Sequence, residues 1–232
     1  MSINKVAIGV PSPEVGPYSV FYDSLLHMKG LVAEDVIQLR GANVAENRNL
    51  IQQVAKVRGY DAILYLDNDQ VMPPDTLSRL VARDLDVVSG LYLKREPPFI
   101  PHAYHKKDNH WWPHCLGKGE SGLIAVDMTG AGCLLVKMSV FDKLERPYWT
   151  LGQGLAGPDK WGDDEVFCTK LRAAGYQVYV DLDCPVGHQL NGTILPGKDV
   201  DGNWGSMLWI GRDVAVTFQA AQSRPKGNEL WD

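Results

Sequence analysis

The sequence predicts an α/β fold: a mostly parallel sheet with helices on both faces. Two observations carry this. Over the first ~95 residues, short apolar runs alternate with amphipathic stretches in the order strand, helix, strand, helix, strand, helix, strand. Each run is apolar at almost every position, as strands buried on both faces are. A third observation points past the fold to a site. In "AILYLDNDQVMPP" two carboxylates, Asp67 and Asp69, stand one residue apart where a buried strand should end. Like charges that close repel, so some positive partner must repay their proximity.

Val6 to Val10 is the first strand, stopped by Pro-Ser-Pro. Tyr18, Phe21, Leu25 and Met28 share one helical face, and Gly30 can close that helix. Val36 to Leu39 is the second strand. Asn43 then caps a helix, with Glu46 three residues on. Leu50, Ile51, Val54 and Val57 form its expected apolar stripe, and Gly59 ends it. Ala62 to Leu66 is the third strand. Pro73-Pro74-Asp75 opens a helix with Leu77, Leu80 and Val81 inward, and Asp86 to Leu93 is extended.

Lys94 to Gly122 has no clear period and reads as a long loop or irregular hairpin. Order returns with Ile124 to Met128, Gly130-Ala131-Gly132 and the run Cys133 to Val136. A short helix near Ser139 to Leu144 and a Gly-rich loop from Thr150 to Gly162 follow. Phe167, Leu171 and Ala174 mark a further helix closed by Gly175, and "YQVYV" is a strand. One further helix is expected around Val214 to Ala221.

The chain has 232 residues, 45% hydrophobic and 22% charged, a globular composition with room for one large domain or two small ones. No apolar run is long enough for a membrane span, and "MSINKVAIGVPSP" lacks the plan of a signal peptide, so a cytoplasmic setting is expected. Cys115, Cys133, Cys168 and Cys184 lie far apart and are expected as reduced thiols. A formal charge of −5 provides no global basic field for a polyanion, though a local basic groove is compatible with it.

At a strand end the backbone turns, and Asp67 and Asp69 can converge on one hard cation, Mg²⁺ or Mn²⁺, that also holds phosphate oxygens. The alternative is a polar turn capping the next helix. Asp163, Asp164 and Glu165 open a helix, where acids favour the dipole; one of them could equally be a general base. His188 follows a strand in "CPVGHQ" and could complete the ion's coordination or be structural. Arg48 and Asn49 lie mid-helix, on a solvated face or aimed at a phosphate. His102, His105, His110, His114 and Cys115 do not have the spacing of a compact zinc site; with Trp111 and Trp112 they read as a recognition loop.

Four blocks, taken in order from about Lys5 to His188, resemble the GT-A glycosyltransferases, specifically the family-2-like group. They are "GANVAENRNLIQQVAKVRGYDAILYLDND", "VVSGLYLKR", "MTGAGCLLVKMSVFDKL" and "GDDEVFCTKLRAAGYQVYVD…GH". The resemblance implies a Rossmann-like GT-A catalytic domain over 1–188, with 189–232 as a C-terminal extension, a possible lid or acceptor platform. It implies a Mn²⁺ or Mg²⁺ cofactor held by Asp69 and His188, with Asp67 on the ribose or on the metal through water. It implies a nucleotide-sugar donor, a UDP-sugar before others, bound near Pro11, Arg48, Asn49, Asp67, Lys94 and Arg95. Gly130, Ala131 and Gly132 would let the donor sugar lie against the backbone. Asp164 would be the base, beside Asp163, with Glu165 as its competitor. An inverting reaction is favoured. The resemblance leaves the acceptor open: a glycan, lipid, protein, small molecule or modified nucleobase in DNA would all fit. Rival readings are a metal-dependent nucleotidyltransferase and a non-catalytic nucleotide-sugar-binding module.

Overall fold

The computed structural model describes residues 3–12, 19–108, 110–151, 162–190, 193–210 and 213–215. The elements, in chain order, are β1 (Val6–Pro11), α1 (Ser19–Leu26), β2 (Val36–Leu39), α2 (Val44–Val57), β3 (Ala62–Leu66), β4 (Gln70–Val71) and α3 (Thr76–Ala82). β5 (Val87–Leu91), β6 (Ala103–Lys107), β7 (His110–Pro113), β8 (Leu123–Val126), β9 (Met128–Thr129), β10 (Cys133–Lys137) and α4 (Met138–Phe141) follow. The chain continues with α5 (Asp163–Ala173), β11 (Val178–Pro185), β12 (Gly187–Gln189), β13 (Thr193–Lys198), β14 (Trp204–Ile210) and β15 (Asp213–Ala215).

The central sheet has seven strands in the order β2-β1-β3-β10-β5-β11-β8. β1, β2, β3, β5 and β11 run one way; β10 and β8 run against their neighbours. This is a mixed, mostly parallel, Rossmann-like sheet. The alternation of the first ~95 residues holds, but β10 inserts antiparallel between β3 and β5. Its apolar run gives no sign of direction, because a strand buried on both faces reads alike either way.

Both faces of the sheet are covered. Ile63 and Tyr65 of β3 and Leu134 and Val136 of β10 point to the layer of α2 and α5, among Ile51, Phe167 and Leu171. Leu64 and Leu66, with Leu135, point to the opposite layer, among Phe21, Leu25, Leu77 and Leu80. The expected face of α2 needs correction. Ile51 is fully buried, but Leu50 is 41% and Val57 88% exposed. The inward stripe is Ala45, Arg48, Ile51, Gln52 and Ala55, turned about one position and carrying a charge. Asn43 does cap the helix, accepting from Glu46 N at 2.9 Å.

The 94–122 segment contains the β6–β7 hairpin, which pairs through β6 with β9. A second sheet runs β15-β14-β13-β12-β4, antiparallel throughout. Its β12 spans the expected boundary at 188/189, and β4 joins it to the turn after β3. The helix expected over Val214 to Ala221 begins instead in β15; residues 216–232 lie outside the described residues, as do Pro13 and 152–161 of the expected loops. All four cysteines are free, Cys115 exposed and the others buried. No described helix is long and apolar enough to cross a membrane.

Candidate active site

Open α/β sheets bind ligands beyond the carboxyl ends of their parallel strands. A cleft of about 240 Å³ lies there, lined by residues from α2, the β3–β4 turn, the segment after β5, the start of β10, the start of α5 and β12. The turn itself is fixed by backbone bonds: Asp67 N donates to Gly132 O at 2.9 Å and Gln70 N to Asp67 O at 3.0 Å. Gln189 N donates to Asp69 O at 2.7 Å, and His188 lies opposite Gln70 across the β12–β4 pair.

Arg48 is the centre of charge. Its side chain is 4% exposed and donates to Asp163 Oδ2 at 2.5 Å and to Asp67 Oδ1 at 2.6 Å. The guanidinium also lies 5.1 Å from the centre of the Trp149 ring, which stacks on Phe167 at 3.8 Å. Burial opposes the Arg48 charge, but Asp67 and Asp163 outweigh it and raise the pKa. Burial raises the Asp67 pKa, helped by Asp69, against the pull of Arg48. One cation thus ties the strand-end carboxylate to the helix-start carboxylate.

Asp69 faces the other way. His188 Nε2 is 3.4 Å and Arg95 Nη1 is 3.1 Å from its Oδ2. Burial alone would raise the Asp69 pKa; His188 and Arg95 overcome that and lower it. His188 Nδ1 lies 2.7 Å from Leu93 O, and a carbonyl only accepts, so Nδ1 carries a proton. Nε2 then faces the Asp69 carboxylate, where it either donates a proton to Oδ2 or shares a cation with it. Asp69 Oδ1 is buried with no hydrogen-bond partner among the described residues. Among those residues no three His, Cys, Asp or Glu side chains form a ready-made metal cage. One carboxylate and one imidazole nevertheless suit Mg²⁺ or Mn²⁺ when a diphosphate supplies further oxygens.

The acidic block divides its labour. Asp163 belongs to Arg48. Glu165 accepts from the Trp111 indole nitrogen and so ties α5 to the hairpin. Asp164 faces the cleft, its Oδ1 accepting from Glu165 N at 2.9 Å. Burial, then the neighbouring charge of Asp163, pushes its pKa up to about 6, against Arg48. The Asp164 carboxylate occupies the space above Gly162, so a side chain there would push it aside.

Other expected residues take other places. Asn49 does not face the cleft: it donates to Trp149 O at 2.7 Å and accepts from Tyr148 N and Trp149 N, clamping that segment. Pro11 is buried at the end of β1, paired with Leu39, and is not among the cleft-lining residues. Lys94 lies with its ammonium 5.5 Å from the centre of the Tyr104 ring, while Arg95 lines the cleft. Ala131 also lines it, but the space above Gly130 and Gly132 is filled by Tyr92, His102 and Gln70 rather than left open. Sequence reasoning missed Tyr92 and Gln70, and read His102 as part of the loop. Burial, then His188, holds the His102 pKa down at about 3, so its ring is neutral. Tyr92 stacks on His102 at 4.9 Å and donates order to the glycine turn by accepting from Gly132 N. His105 of the hairpin and His114 and Glu120 of the segment after it form a hydrogen-bonded chain, at 3.0 and 3.1 Å.

No protein-family model matches the chain, and no curated protein matches it. Among solved structures it is similar to the crystal structure of A197 from STIV, at a TM-score of 0.60 and 19% identity. The likeness covers 92% of this chain and 98% of that one. At that identity it speaks for the fold alone: a mixed α/β chain shared almost end to end.

Proposed function

We propose that the chain is a metal-dependent glycosyltransferase that moves a sugar from a nucleotide-sugar to an acceptor hydroxyl. One observation carries the reading. Across a single cleft, Asp164, its pKa pushed up to about 6, stands opposite Asp69 and His188, a carboxylate and an imidazole 3.4 Å apart that can share a cation.

Asp164 is the base. A carboxylate that titrates near neutrality is charged in the working range and still holds a proton well enough to take one from a hydroxyl. Arg48 keeps Asp67 and Asp163 turned toward itself, which leaves Asp164 the only member of the block directed at the acceptor. Asp67 offers its remaining oxygen to the ribose. Arg95, 49% exposed, can pass from Asp69 to a diphosphate oxygen. Asp69 and His188 would hold Mg²⁺ or Mn²⁺, which supplies charge neutralisation for the leaving diphosphate. Neutral His102 and Tyr92 add hydrogen-bonding capacity without charge.

The test is product analysis with nucleotide-sugars and Mn²⁺. Release of free nucleoside diphosphate, lost in Asp164→Asn while nucleotide binding persists, supports the proposal. Release of pyrophosphate would replace it with nucleotidyl transfer. Tight binding without turnover, unaffected by Asp164→Asn, would reduce the protein to a binding module.

A further inference from the structure

The glycine turn that the resemblance assigned to the donor sugar carries a side chain instead. Gln70 is 1% exposed and belongs to the wall of the cleft, one residue after Asp69 and opposite His188. A side chain at Gly132 would stand 2.8 Å from Gln70 Nε2 and 3.1 Å from Tyr92 Cζ, so the amide lies directly on the turn. Neither Nε2 nor Oε1 of Gln70 has a hydrogen-bond partner among the described residues. The nearby Tyr92 hydroxyl accepts from Gly132 N instead. Folded proteins rarely leave one buried polar atom unpaired, and here a single amide leaves both.

We propose that Gln70 selects the donor's sugar, its amide pairing with two neighbouring hydroxyls of a pyranose ring. The inference rests on the donor-binding reading above. An amide presents a donor and an acceptor side by side. Two vicinal hydroxyls present the same pair in return. Phosphate would leave the NH₂ paired and the carbonyl oxygen facing negative charge, so the anionic half of the donor belongs with Arg95 and the cation, and the neutral sugar with Gln70. A site built to pair with a hydroxyl rejects an analogue whose hydroxyl is moved or missing, because the amide is then stranded again.

The test compares wild type with Gln70→Met, a side chain of similar length without the amide. Each is melted alone, then with Mn²⁺ and a panel of nucleoside diphosphates, then with the matching nucleotide-hexoses, including epimers. Gln70→Met should melt about 2–8 °C higher than wild type when free, since it removes two unpaired buried groups. It should bind the nucleoside diphosphate as wild type does. It should lose the additional shift that the preferred hexose gives wild type, and transfer should fall at least ~10-fold. If both proteins take the nucleoside diphosphate and Gln70→Met keeps wild-type preference among epimers, the Gln70 assignment falls while the donor reading stands. If no nucleoside diphosphate shifts wild type, the donor reading falls and takes this inference with it. Should Gln70→Met fail to fold, Gln70→Asn, which withdraws the amide by one methylene, makes the same comparison of epimers.

Discussion

Replacing Arg48 with Met should destabilise the protein strongly, and more at high pH than at low. The arginine is buried and satisfies Asp67 and Asp163 together. Removing one partner of a buried ion pair costs about 3–5 kcal/mol, because the remaining charge is stranded. Here two carboxylates are stranded, but the Asp67 side chain is 31% exposed, so water screens part of the loss. The lower half of that range, about 3–4 kcal/mol, is the working figure. For a chain of 232 residues that is a fall of about 6–16 °C in melting temperature. The pH dependence follows from linkage. The Asp67 pKa already stands above its ordinary value, and loss of Arg48 raises it further. A carboxylate with a folded pKa above its unfolded one binds more protons when folded, so the stability it leaves is present at low pH and lost as pH rises. Thermal melts of wild type and Arg48→Met at pH 5 and pH 8 read this directly. A loss under about 2 °C at pH 8, or an equal loss at both pH values, would refute the account of Arg48 as the clamp of the site.

Three further outcomes are expected. Asp164 has a pKa of about 6 in the fold, so its contribution is favourable below ~pH 4 and lost as pH rises through 6. Asp164→Asn should therefore gain up to about 3 kcal/mol at pH 7 and almost nothing at pH 4 by chemical denaturation, while transfer by wild type rises with pH through 6. Asp69→Ala should abolish the Mn²⁺-dependent part of nucleoside diphosphate binding in calorimetry; undiminished metal dependence would remove Asp69 from the ligand set. Asn49→Ala should lower stability by about 1–3 kcal/mol through the freed Tyr148–Trp149 backbone and leave nucleotide affinity within about twofold; a large affinity loss would return Asn49 to the cleft.

Local grammar made much of this fold legible. Ala62 to Leu66 read as a buried strand and is one, and Asn43 with Glu46 marked a helix start to the residue. The Asp67–Asp69 pair pointed to a candidate site because strand ends are where such sheets bind, and both residues line the cleft. What escaped notice depends on contacts far apart in sequence. The inward face of α2 includes Arg48, and an apolar-stripe rule discards a charge that is buried because Asp163 lies 115 residues away. The separate fates of Asp163, Asp164 and Glu165 follow from Arg48 and Trp111, neither of which is near in sequence. Gln70 and Tyr92 carried no motif, since an amide after an acidic pair and a tyrosine ending a strand are both commonplace. The antiparallel entry of β10 is a matter of topology, on which its residues are silent.

The bonding of β12 to β4 also sets a clock. Asp69 is made 119 residues before His188, which lies 3.4 Å from its carboxylate, and 120 before Gln189, which holds its backbone. At ribosomal speeds of ~5–20 residues per second, about 6–24 s pass between them. For that interval the nascent chain carries β1, β2 and β3 beside an acidic turn whose histidine is still unmade. The Asp69 side of the cleft is therefore completed only after β12 is made, and ribosome-bound chains halted before residue 187 should lack the Asp69–His188 pair.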